Sequence, residues 1–350
     1  MWAEGKVRIV DIANEVGVST ATVSNVIHGK TKKISAQTVK RVQEKLEERG
    51  YIPNMAATLL AQNNSRIIGV VINDHEKYEG RALTDPFIAS SINYLADELE
   101  KNDYFMMLKK TTDLLGTVKF ASMWNMAGMV ILGFCDHEYQ ELRSRIHIPF
   151  VVYDGYFENR GRICNLQLDD RDGGRQVGEY LHRLGHRKVL CVSDNQECMD
   201  QQRYEGLCSG LGFQADFMKI PMQKEMRDRY YREHFSKLCG FTAIFAVSDF
   251  YAVDMIRFLQ SSGIQIPDDI SIIGFDDSDL CGQVVPSLTS VRQDYKLRAQ
   301  MAIRLLNQMK EQPEYTKNFT IPVKLIERNS SKGYDGCSRC PASRRKASGQ

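Results

Sequence analysis

From residue 66 onward the sequence alternates between two patterns, and this alternation restricts the fold more than any other feature. Short apolar runs of strand length fall at 67–73, 104–108, 128–132 and 150–153, and a second series at 189–193, 243–247 and 270–275. The first of these is continuously apolar, as expected of a parallel strand buried on both faces. Stretches with helical periodicity lie between them. Ile88, Ile92, Leu95 and Leu99 repeat at helical spacing, and further helices are predicted over 174–184, 203–211, 249–261 and 296–310. Repeated strand–helix alternation predicts doubly wound parallel sheets, and two series predict two lobes with a cleft between them. Open sheets of this kind bind ligands beyond the carboxyl ends of their strands. Those ends carry Asn73 and Asp74; Tyr153, Asp154 and Tyr156; Ser193 and Asp194; Ser248 and Asp249; and Asp276 and Asp277. Carboxylates, amides and aromatic rings in one place suit a polyhydroxylated or cationic small molecule.

The N-terminal part is organised differently. Ile9, Ile12, Ala13 and Val16 form one apolar face of a short helix. Gly17 follows, where a helix C-terminus favours positive φ, and Ser19 occupies an N-cap position. In the second helix Val23, Val26 and Ile27 are expected to face inward. Thr20, Ala21, Thr22, Ser24, Asn25 and His28 are left towards solvent, and small hydroxyl and amide groups suit base edges and phosphates. A third helix is expected from Ser35 to about Arg49, with Val39, Val42 and Leu46 as its inner stripe. The chain as a whole carries only +2, but residues 1–62 hold nine Lys/Arg against six Asp/Glu. The basic bias thus lies where a phosphate backbone would be met.

The run VSTATVSNVI (18–27), followed by a third helix and by GYIPN (50–54), resembles the DNA-binding headpiece of the lactose/galactose repressor (LacI/GalR) family. Further on, DDRDGGRQVGEYLHRLGHRKVLCVS (169–193), IPDDISIIGFDDSD (266–279) and PSLTSVRQD (286–294) resemble signatures of the same family. The resemblance implies a helix-turn-helix headpiece (1–52), a hinge helix and linker (53–65) and a two-lobe, type I periplasmic-binding-protein-like effector and dimerisation domain (66–330). A basic, disordered tail (331–350) is expected beyond it. It implies DNA contacts from Ser19, Thr20, Ala21, Thr22, Ser24, Asn25 and His28. Leu60 matches the hinge leucine that wedges into the minor groove, while Thr58 stands where a basic residue is common. In the cleft, Arg203 of RYEGL and Asp276 of GFDD match the family's effector-binding arginine and aspartate. Phe87 and Ile88 match its aromatic pair, Ser248 stands at a position where asparagine is usual, and Tyr153 and Asp154 are expected as neighbours. Leu207 replaces the expected aromatic. The stretch between the first strand and Phe87, NDHEKYEGRALTDP, is longer than the family pattern and is expected over the cleft mouth.

The function implied is a homodimeric, operator-binding transcriptional regulator, a repressor controlled by a sugar-like effector, without a cofactor and without enzymatic activity. A solute-binding protein of the same fold and an enzyme are the competing classes. Against the first stand the headpiece and a start, MWAEGKVRIV, that lacks a signal-peptide core. Against the second, the sequence offers no P-loop, no G-x-S-x-G elbow and no H-E-x-x-H. No apolar run approaches membrane-spanning length, and nine cysteines, mostly in apolar stretches, fit a reducing compartment. A cytoplasmic location without membrane contact is expected. His182 and His186 have the spacing of two metal ligands but no third, and Gly210-x-Gly212 follows a helix rather than a strand, so neither a metal nor a dinucleotide site is expected. Arg203 paired with Asp276 could alternatively close the lobes as a salt bridge.

Overall fold

The computed structural model describes residues 7–52, 65–134, 137–155, 163–334 and 336. The segment 53–64, with Pro53, Thr58 and Leu60, lies outside them, as do Tyr156 and the Cys337/Cys340 pair. The chain separates into two compact units, Met1–Ser65 and Arg66–Gln350.

The first unit holds three helices: α1 (Ile9–Val16), α2 (Thr20–Ile27) and α3 (Ala36–Glu48). Gly17 ends α1 in the left-handed region, at φ 73°, which a side chain would strain. The Ser19 hydroxyl then accepts from the Thr22 amide at 3.1 Å, and Ser35 caps α3 in the same way at Thr38. Ile12, Ala13, Val16, Val23, Val26 and Val42 are buried together, with Val39 and Leu46 packed against them. Each fully buried aliphatic side chain contributes about 1.5–3 kcal/mol, so one small core suffices for a unit of this size.

The second unit is built on two six-stranded sheets. The chain runs β1 (Ile67–Asn73), α4 (Pro86–Lys101), β2 (Phe105–Thr111), α5 (Thr117–Met123), β3 (Gly128–Leu132), α6 (His137–Arg145), β4 (Phe150–Tyr153) and β5 (Cys164–Leu168). It continues through α7 (Asp170–Arg183), β6 (Val189–Ser193), α8 (Cys198–Leu211), β7 (Asp216–Lys219), α9 (Lys224–Glu233), α10 (Phe235–Leu238) and β8 (Ala243–Ala246). Then follow α11 (Asp249–Ser261), β9 (Ser271–Asp276), α12 (Leu280–Gln283), β10 (Thr289–Arg292), α13 (Tyr295–Glu311), β11 (Lys317–Ile321) and β12 (Lys324–Ile326). The first sheet has the order β11-β5-β4-β3-β1-β2 and the second β12-β10-β9-β8-β6-β7. All described pairings are parallel except β10 with β12.

The two expected lobes are present, but they are not two consecutive halves of the chain. After β10 the chain returns to the first lobe, where α13 buries Ala299, Ala302, Ile303, Leu305, Leu306 and Met309 against β3, β4 and β5, and β11 extends the sheet beside β5. It then re-enters the second lobe as β12, so three segments cross between the lobes. The tail also begins later than expected. Ser331 bonds the hydroxyls of Tyr180 and Thr289, at 2.9 and 2.8 Å, and the Tyr334 amide donates to the Leu184 carbonyl at 2.7 Å. Residues 331–334 are therefore part of the second lobe.

Candidate DNA-binding and effector sites

On α2, Thr20, Ala21 and Asn25 are exposed with Ser19, while Thr22, Ser24 and His28 are half-buried. Ser19 and Thr22 hydroxyls lie 2.9 Å apart, and the Ser19 oxygen also caps the helix, so part of their hydrogen-bonding capacity is spent locally. Asn25 projects from the middle of the helix with an amide able both to donate and to accept. Arg41 on α3 donates to the Val16 carbonyl at 2.7 Å and ties α3 to the C-terminus of α1, just before the turn.

In the second unit, parallel pairing aligns the carboxyl ends of neighbouring strands on one edge of each sheet: Leu132 is level with Ile72 and Tyr153, and Asp276 with Arg292. Arg203 projects from α8 and is only 4% exposed. Its Nε donates to Asp170 Oδ1 at 2.7 Å, Nη1 donates to the Val247 carbonyl, and the guanidinium lies 3.6 Å from the Phe275 ring centroid. The ion-pair partner of Arg203 is thus Asp170 of the same lobe, and the salt bridge to Asp276 considered from sequence is not formed. The position of Arg203 is fixed by glycines. A Cβ at Gly174 would stand 2.0 Å from the Arg203 carbonyl oxygen, and one at Gly206 would stand 2.0 Å from that of Arg171, so α7 and α8 pack backbone to backbone. Gly210 belongs to the same contact and Gly212 ends α8 at φ 76°, which accounts for that glycine pair without a dinucleotide.

Asp276 sits at the end of β9 with φ 118° and accepts from the Gln293 amide at 2.9 Å. Burial pushes its carboxyl well above the usual range, against the pull of Arg203. Asp194 accepts from the hydroxyl of Tyr251 and from Asn195, and Asp200 accepts from Ser193 at 2.6 Å and Asn195 at 3.0 Å. Burial raises Asp200 to about 6, with Arg203 opposing. Ser248 caps α11 at Tyr251 and is half-buried. Asp249 turns inward, accepting from Ser278, Ser290 and Cys281, and holds the ends of β9 and β10 together.

The first lobe contributes Tyr153, 1% exposed, whose hydroxyl has no hydrogen-bond partner. Asp154 forms an ion pair with Arg298, and the Arg298 guanidinium lies 4.1 Å from the Tyr153 ring centroid. Phe87 lies 6.2 Å from Tyr295, centroid to centroid. Ile88 is corrected: at 2% exposure it belongs to the first lobe's core with Leu95 and Leu99 rather than to the cleft wall.

Arg298 and Gln293 were missed from sequence. Arg298 Nη1 donates to Gln293 Oε1 at 3.3 Å, and Nη2 donates to the Leu166 carbonyl at 2.9 Å. With Asp154 at one end and Asp276 at the other, these two side chains join the strand ends of both lobes through the β10–α13 crossing. The available signal was a single arginine among the apolar residues of α13, between Leu297 and Ala299. His182 bonds the Leu211 carbonyl, and His186 bonds Thr242 and the Lys332 carbonyl, so both have structural partners. Among the described residues no group of three or more side chains could hold a metal ion, and no helix is long and apolar enough to cross a membrane.

Residues 8–54 match the model of bacterial regulatory proteins of the lacI family, and residues 179–331 match that of a periplasmic binding protein-like domain. The HTH-type transcriptional regulator MalR of Clostridium butyricum is 27% identical over 92% of this chain and 98% of its own length. A lac repressor dimer bound to operator and the anti-inducer ONPF superposes with a TM-score of 0.80 at 22% identity, over 93% of this chain and 99% of that one. A LacI family regulator from Enterococcus faecalis V583, with bound ribose, superposes with a TM-score of 0.66 at 27% identity, over 77% of this chain and 100% of that one. Headpiece, two-lobe α/β domain and relatives agree. The chain belongs to the LacI family and is a DNA-binding transcriptional regulator, not an enzyme.

Proposed function

We propose that this regulator is a homodimeric cytoplasmic repressor whose grip on its operator is set by a small polyhydroxylated effector, a sugar or sugar derivative, held between the two lobes. The observation that carries this reading is the buried pairing of Arg203 with Asp170 beside Asp276, at the carboxyl ends of the second lobe's strands. A rigid guanidinium and a carboxylate in one dry site recognise hydroxyl groups by donating to and accepting from them. Tyr153, Ser248 and Phe87 complete the effector contacts, and Asp154 acts through Arg298. The relatives named above support the class: one holds bound ribose, another an anti-inducer together with operator.

On the DNA side, Thr20, Ala21 and Asn25 read bases. Ser19, Thr22 and Ser24 hold phosphates, His28 flanks them, and Leu60 wedges the minor groove at the operator centre. Fluorescence anisotropy with the selected operator, titrated with ribose, cellobiose and related sugars, tests the reading. The sugar that changes operator affinity of the wild type should leave an Arg203→Ala protein unresponsive while its sugar-free operator binding persists. An Arg203→Ala protein that still responds to the sugar would refute the assignment.

A further inference from the structure

The inserted stretch between Asn73 and Pro86 is anchored in the first lobe. It forms two short 3-10 turns, Glu76–Tyr78 and Ala82–Thr84. Tyr78 packs on the first lobe's core, and Ala82 is buried within it. Lys110 of β2 donates to Asp74 at 2.9 Å and to the Gly80 carbonyl, and Asp85 caps α4 by accepting from the Ile88 amide at 3.1 Å. Two glutamates of the stretch reach the second lobe instead. Glu76 accepts from the Gln223 side-chain amide at 2.7 Å, and Glu79 accepts from the Lys224 backbone N–H at 2.8 Å. The stretch leaves the carboxyl end of β1, and Gln223 follows the carboxyl end of β7. These bonds therefore span the lobes at the edge where parallel sheets bind ligands.

The receiving end suits such a contact. Lys224 is the first residue of α9, and the first amides of a helix have no acceptor within it. Gln223, at the N-cap position, supplies none from its side chain and is engaged with Glu76. Glu79 thus caps α9 from the other lobe, where the helix dipole also favours a carboxylate. The turn before α9 is held from beneath. Arg227, 1% exposed, donates to the carbonyls of Pro221 and Met222, at 3.3 and 2.5 Å, and through Nε to Asp254 at 2.7 Å. On the strap itself Glu79 stands at φ 49°, a left-handed backbone that disfavours a side chain and suits glycine. The bond to Lys224 offsets that strain.

We propose that the stretch 74–85 is a latch between the lobes: Glu76 and Glu79 hold Gln223 and the N-terminus of α9, so that opening the cleft uncaps α9 and the lobes are biased towards their closed arrangement. The latch stands on these contacts alone. Its control of effector access rests on the reading of the cleft as the effector site.

Residue-resolved hydrogen exchange of the full chain tests the latch without effector or operator. The first amide of a helix has no intrahelical bond to slow its exchange, so protection at Lys224 reports Glu79. In the wild type Lys224 should exchange about tenfold more slowly than in Glu79→Gly, while the last turn of α9 stays equally protected in both. Glycine takes the left-handed backbone without strain, which favours folding of the variant. Glu76→Ala does not touch the Lys224 amide, yet it should also speed its exchange, because the two contacts open together. The double variant, Glu76→Ala with Glu79→Gly, should show a larger radius of gyration in small-angle scattering. A Lys224 amide that exchanges at its unprotected rate in the wild type would overturn the proposal whatever the variants do. So would a double variant whose scattering superimposes on that of the wild type. A protected Lys224 together with an Arg203→Ala protein that still answers the sugar would sink only the proposed function. An unprotected Lys224 with an unresponsive Arg203→Ala protein would sink only the latch.

Discussion

At the scale of single residues, what decides a role is the hydrogen bonds a side chain has left to give. Asn25 is exposed on α2, and its amide offers both a donor and an acceptor to a base edge. Asn25→Ala should therefore change the base preferred at one operator position, by about 1–3 kcal/mol, measured by binding-site selection. An unchanged consensus would remove Asn25 from base recognition. Asp200 illustrates the opposite case, a carboxyl with all its partners inside the protein. Its folded pKa is raised to about 6 by burial, from 3.8 for an unperturbed aspartate. The folded state thus binds the proton more tightly than the unfolded chain, so the stability this group contributes is full below about pH 4 and is lost as pH rises through about 6. Relative to Asp200→Asn, the wild type should lose about 2 kcal/mol across that window in urea unfolding. Parallel pH curves for the two proteins would show that Asp200 does not titrate there.

At the scale of elements, the α7–α8 pair shows how a helix contact places a functional side chain. Four glycines, Gly174, Gly178, Gly206 and Gly210, each face backbone of the opposing helix at a distance no Cβ could share. Gly206→Ala should destabilise the second unit by about 3 kcal/mol, because the rigid backbone of Arg171 cannot move aside as a flexible side chain would. Any helix shift that relieves the clash displaces Arg203, so sugar response should fall together with the urea midpoint. An alanine variant with wild-type stability would contradict backbone-to-backbone packing. These glycines were visible in the sequence, yet they read there as a family signature or a loose nucleotide fingerprint. Their reason lies in a neighbour roughly thirty residues away along the chain.

At the scale of the whole effector unit, the lobes are joined by three crossing segments and by the polar chain Asp154–Arg298–Gln293–Asp276. Arg298 is 1% exposed, so removing its charge leaves the Asp154 carboxylate buried and uncompensated. Arg298→Met should cost about 3–5 kcal/mol, and adding Asp154→Asn should recover a substantial part of that loss. Additive losses in this double-mutant cycle would mean that the two groups do not act as a pair. Small-angle scattering of Arg298→Met should also report a change in lobe separation, since the pair anchors the crossing into α13.

The local elements were legible in the sequence because their signals are local. Helix periodicity, the caps Ser19 and Ser35, the positive-φ turn at Gly17 and the continuous apolar strands of β1, β3 and β4 each act within one turn or one run of residues. Arg203 and Asp276 were legible through resemblance, which singled out their positions but not their partners. What only the tertiary structure decided is which distant groups meet. Sequence spacing carries no information on whether Arg203 finds Asp170 or Asp276, since that depends on how closely α7 and α8 pack. Nor could it show that α13 and β11 return to the first lobe: an amphipathic helix presents the same apolar face to either sheet, and the lengths of the crossing segments and the strand pairing settle the choice. Arg298 escaped for the same reason, because a long charged side chain normally reaches solvent, and only the packing around it turns it inward.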